Sequence, residues 1–64
     1  MTHIQIITQK QLIEGDTEHE VDEITRLIHG CYKEQVPFRV WIDGTMWVIP
    51  FSTLDNSIIR LDPL

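Results

Sequence analysis

The sequence predicts a small α+β fold: a mostly antiparallel sheet in the order β-α-β-β-β, with one amphipathic helix packed on one face. Three observations carry this. Val21, Ile24, Leu27, Ile28, Cys31 and Tyr32 recur at three- and four-residue steps, which lays one apolar stripe along a helix. Phe38–Ile42 and Thr45–Ile49 are alternating runs separated by Asp43-Gly44, a pair that tolerates φ > 0 at both centres of a type I′ turn. Short apolar runs near the two ends, Ile4–Ile7 and Ile58–Leu61, supply further strands. A small open barrel of the SH3 or Sm type, with a curled hairpin and a helix plugging one end, is the alternative arrangement of the same elements.

His3 to Ile7 alternates around Ile4 and Ile6, and Ile7 adds an apolar residue on the other parity, as in a short strand covered on both sides. Thr8-Gln9-Lys10-Gln11 is polar, Leu12-Ile13 is a brief apolar return that could extend the first strand, and Glu14-Gly15-Asp16 reads as a turn or loop. Thr17-Glu18-His19-Glu20 matches a capping box, which starts the helix at Thr17. Acidic residues then stand at the positive end of the helix dipole and Lys33 near its negative end. Gly30 either caps the helix or sits in its last turn at a cost of about 1 kcal/mol relative to Ala. The apolar period continuing to Tyr32 favours the longer helix, which Pro37 stops.

A two-residue turn at Asp43-Gly44 fixes the hairpin register. Phe38 faces Ile49, Val40 faces Trp47 and Ile42 faces Thr45 on one side, while Arg39 faces Val48 and Trp41 faces Met46 on the other. Pro50 cannot donate to a ladder and marks the end of the second hairpin strand. Phe51–Asn56 is a connecting turn or one helical turn. Ser57 to Leu61 forms the last strand, with Ile58 and Arg60 on one side and Ile59 and Leu61 on the other.

A chain of 64 residues reads as a single domain, 1–64. At this size folding buries only about 60% of the unfolded surface. Disulfides, a metal or self-association usually reinforce so small a core. The lone Cys31 excludes an internal disulfide, which leaves homo-oligomerisation as the simplest device. A composition of 42% hydrophobic and 23% charged residues argues against disorder. No run approaches the roughly 18 apolar residues of a membrane span. Met1–Gln5 lacks the basic start and apolar core of a secretory signal, and the unpaired cysteine suits a reducing compartment, so the expected location is the cytoplasm. A net charge of −5 disfavours direct binding to nucleic acid, and Lys10, Arg26, Lys33, Arg39 and Arg60 form no run.

Chemistry-bearing clusters are sparse. His29 and Cys31 are two apart, about 200° around a helix, and do not converge on one metal even with His3 or His19 as further ligands. Cys31 falls on the apolar stripe and reads as a core residue. Neither a phosphate-binding glycine loop nor a nucleophile-base arrangement occurs, so neither catalysis nor a cofactor is expected. The purer apolar row, Phe38, Val40, Ile42, Trp47 and Ile49, is assigned to the interior, which turns Arg39, Trp41, Met46 and Val48 outward. Trp, Met and Arg are enriched at protein interfaces. That side is either covered by the first strand or the tail Asp62–Leu64, or it is a binding surface.

The expected function is that of a small acidic, non-enzymatic protein-protein interaction module, regulatory or inhibitory by occupying its partner. Self-association through the same face is part of that expectation. One alternative is an acidic nucleic-acid mimic that blocks a basic groove through Glu18, Glu20, Asp22 and Glu23. A further alternative is single-stranded nucleic-acid binding by stacking on Trp41 beside Arg39.

Overall fold

A computed structural model describes all 64 residues. In chain order the elements are β1 (Thr2–Ile7), β2 (Leu12–Thr17), α1 (Val21–Glu34), β3 (Phe38–Ile42), β4 (Thr45–Ile49), α2 (Phe51–Asp55) and β5 (Ile58–Pro63). The strands form two antiparallel sheets, β2-β1-β5 and β3-β4, rather than one, and they do not close into a barrel. The α+β class stands, with one main helix.

The segment expected as a loop, Glu14-Gly15-Asp16, is part of a strand. The Thr8 hydroxyl accepts the amides of Lys10 (3.2 Å) and Gln11 (3.0 Å), closing a tight turn after β1. The chain then returns as β2, with Ile6 facing Ile13, Ile4 facing Gly15 and Thr2 facing Thr17. Because Thr17 ends that strand and is buried, it cannot cap the helix. The cap is Glu20, whose amide donates to Oε1 of Glu23 at 3.2 Å. At the other end Gln35 adopts the left-handed conformation (φ 57) and its amide bonds the Cys31 carbonyl. Gly30 lies inside the helix, as the apolar period implied.

The core lies between the inner faces of the two sheets and the helices. Ile4, Ile6 and Ile13 come from the first sheet, and Phe38, Val40, Ile42 and Ile49 from the second. Ile24 of α1 and Leu54 of α2 complete it. Ile28, Cys31, Trp47, Ile59 and Leu61 pack around its margin, whereas Leu27, assigned to the same stripe, is 47% exposed. Pro50 ends β4 and serves as the N-cap of α2, where its carbonyl accepts the amides of Thr53 and Leu54. Tyr32 ties α1 to α2 by donating its hydroxyl to the Leu54 carbonyl at 2.8 Å. No helix is long and apolar enough to cross a membrane.

Candidate functional site

The hairpin β3–β4 has the register its turn demands, since Asp43 (φ 49) and Gly44 (φ 80) both occupy left-handed backbone. Alternation then separates its two faces. Phe38, Val40, Ile42 and Ile49 are buried in the core, while Trp41, Met46 and Val48 are 54%, 39% and 53% exposed and Arg39 is exposed beside them. These four form two adjacent cross-strand pairs, Arg39 with Val48 and Trp41 with Met46, so they make one contiguous patch. Neither candidate cover reaches it. The first strand pairs with β2 and β5, and the tail continues along β1, where the Leu64 amide bonds the Met1 carbonyl.

The patch is held in place by a junction that the sequence did not disclose. The Asp43 amide donates to the Asp16 carbonyl at 2.9 Å, and the Asp16 amide donates to Oδ1 of Asp43 at 3.0 Å. The two sheets meet here, and the close approach requires glycine at position 15. A Cβ there would lie 2.6 Å from Cγ2 of Ile42 and 2.8 Å from Cγ of Asp43, with Oδ2 of Asp43 closer still. One result is a depression of about 410 Å³ that brings Trp41 and Gly44 together with Asp16, Glu18 and His19. Trp41 and the start of the acidic run, read separately in the sequence, are therefore neighbours.

The acidic set is only partly free. Glu20 meets the Met1 amino group at 2.6 Å, and Glu23 is occupied by the Glu20 amide and by His19 at 3.3 Å. Those two bonds, the amide first, hold the Glu23 carboxyl below its ordinary range. Glu18 and Asp22 are exposed.

The register of β1 and β2 also assembles a cluster on the outer face of the first sheet. Nδ1 of His3 lies 2.8 Å from Oδ1 of Asp16, and its Nε2 lies 3.3 Å from Oε2 of Glu14. Gln5 donates to the same Glu14 oxygen at 2.9 Å. Hydrogen bonding to Asp16, and then to Glu14, raises the His3 pKa, while Gln5, and then His3, lower that of Glu14. Spacing along the chain could not reveal this cluster, because only the hairpin brings positions 3, 14 and 16 together. His3 lines no depression of the surface.

Cys31 and His29 part company as the helical spacing implied. The Cys31 thiol points to the Pro37 carbonyl at 3.6 Å, and burial, followed by the nearby charge of Glu34, pushes its pKa up. His29 is exposed and lines a groove between α1 and β5. No family model matches the chain, and neither a curated protein nor a solved structure is similar to it.

Proposed function

We propose that this chain is a small acidic interaction module that regulates or inhibits a partner protein by occupying it through Arg39, Trp41, Met46 and Val48. The observation that carries the reading is the exposure of Trp41 on a hairpin whose opposite face is core and whose turn is tied to β2. Leaving an indole and a thioether in water forgoes a few kcal/mol of burial at roughly 25 cal/mol per Å². A pinned backbone limits the ordering cost that a partner has to offset. Trp and Arg are also the residues that most often dominate binding energy at the centre of an interface. The net charge of −5 favours a partner with a basic rim, which speeds encounter and selects against acidic surfaces.

The test compares wild-type chain with a Trp41→Ala, Met46→Ala double variant as immobilised bait, after circular dichroism has shown both to be folded. The double variant is expected to lose a protein that the wild type retains in high salt, because apolar contacts are not screened. Capture of the same proteins by both would refute the reading. Capture that survives the double substitution but fails in salt, and with Glu18→Lys and Asp22→Lys, would assign function to the acidic ridge. Those two positions are chosen because Glu23 supports the helix cap.

A further inference from the structure

β5 is an edge strand, paired with β1 on one side only. The bond from the Leu64 amide to the Met1 carbonyl, 3.1 Å, sets the phase of that ladder. Ile58, Arg60 and Asp62 turn their backbone groups toward β1, and Ile59, Leu61 and Pro63 turn theirs outward. Pro63, which has no N–H, thus stands at a position where β1 asks for none. The free edge presents the N–H groups of Ile59 and Leu61 with the carbonyls of Ile59, Leu61 and Pro63.

The side chains of this edge are complementary to themselves. Along the outer face they run Ile58, Arg60, Asp62, Leu64: apolar, cationic, anionic, apolar. Ile58 and Leu64, 68% and 70% exposed, are the most exposed large apolar side chains of the chain. Nε of Arg60 lies 3.1 Å from Oδ2 of Asp62, so both charges already stand in one row. A two-fold axis through Leu61 sets Ile58 against Leu64 of a second copy and Arg60 against its Asp62. On the inner face it sets Leu61 against Leu61 and Ile59 against Pro63. In that register every outward N–H of the strand finds a carbonyl. Leu61 exchanges both bonds with its counterpart, and each Ile59 amide donates to the opposite Pro63.

The other edge of this sheet lacks such a pattern. β2 carries Leu12, Glu14 and Asp16 on its outer face, so self-pairing would oppose like charges, and its end is already bonded to Asp43. Beside β5, moreover, runs the groove of about 440 Å³, whose apolar wall is Ile28 and Tyr32 of α1 with Ile59 and Leu61. A second strand laid along the edge carries its own Ile59 and Leu61 to the mouth of that groove. We infer that two copies of this chain pair antiparallel through β5 about Leu61, joining their three-stranded sheets into one. The Trp41 face stays free.

The test uses two single charge reversals and their mixture. Arg60→Asp sets carboxylates against carboxylates across the axis, and Asp62→Arg sets guanidinium against guanidinium. Each is expected to raise the dimer dissociation constant about tenfold or more, since symmetry counts every change twice. An equimolar mixture of the two variants restores opposite charges at each position and is expected to form heterodimers at near wild-type strength. A defect of folding would not be repaired by mixing. Sedimentation velocity reads the outcome as twice the 7.5 kDa of one chain. Amide exchange of the unaltered protein supplies a second readout. The Ile59 and Leu61 amides are expected to be slow at high concentration and fast after dilution, whereas the Leu12 and Glu14 amides on the β2 edge stay fast. The inference is overturned by a wild type that remains at single mass up to millimolar concentration, or by dimers indifferent to either reversal. It is equally overturned by reversals that mixing does not rescue, or by Ile59 and Leu61 amides that ignore concentration. Trp41→Ala is expected to leave the dimer intact.

Discussion

Gly15→Ala isolates the junction of the two sheets. The added methyl would stand 2.6 Å from the Ile42 methyl and 2.8 Å from the Asp43 carboxyl carbon, both far inside van der Waals contact. Neither neighbour yields cheaply. Ile42 is a buried core residue, and Asp43 is held by its amide and by Oδ1 to Asp16. Overpacking of this kind costs about 1–3 kcal/mol. That is a large share of the roughly 3–10 kcal/mol that a domain of 64 residues commands. At about 4–8 °C per kcal/mol, the midpoint should fall by roughly 4–24 °C. The same chemical change at Gly30 provides the control. That glycine lies inside α1, and a Cβ there meets no atom within 4 Å, so Gly30→Ala should gain about 1 kcal/mol and raise the midpoint. Thermal melts followed by circular dichroism, at one fixed protein concentration, measure both. A Gly15→Ala chain melting at or above the wild-type temperature would refute the account of the junction.

Two further outcomes follow from the polar groups. The His3 cluster makes stability depend on pH in a stated direction. The raised pKa of His3 gives stability that is complete below about pH 6.5 and is lost as pH rises through the folded value. The lowered pKa of Glu14 gives stability that is present above about pH 4.5 and is lost as pH falls through its folded value. Urea melts of wild type and His3→Gln should therefore differ most in the mildly acidic range and draw together as pH rises above it; a gap that widens with pH would contradict the cluster. Thr17 supplies the other. Its hydroxyl is buried without a hydrogen-bond partner, so Thr17→Val should gain about 1 kcal/mol. Thr2→Val should lose about as much, because Thr2 donates to the His19 carbonyl at 2.7 Å. Paired thermal melts decide, and a destabilised Thr17→Val would show that the hydroxyl is satisfied after all.

Local chemistry made the hairpin and the helix interior legible. Asp43-Gly44 tolerates a positive φ at each residue, and that property set the register from Phe38–Ile49 inward, while the purer apolar row opposite put Trp41, Met46 and Val48 outside. The period of three and four residues carried the helix through Gly30. β2 escaped because its inward positions are Ile13, Gly15 and Thr17, only one of them large and apolar. Its glycine, which reads locally as a turn, answers to the approach of Ile42 and Asp43 from another sheet. Misplacing that strand misplaced the helix start, since Thr17 looks like a cap only when it does not end a strand. The contiguity of the outward patch was readable, but its attachment through Asp16, and the meeting of His3 with Glu14 and Asp16, depend on contacts between distant segments.

The pairing of β1 with β5 spans nearly the whole chain, whereas each hairpin closes over a few residues. Contact-order reasoning makes the short closures early and the long one late. During refolding, the segment bearing Trp41 can therefore take shape before β5 has found its place beside β1. A partly folded molecule would then already present Trp41, Met46 and Val48 to solvent while its three-stranded sheet is incomplete.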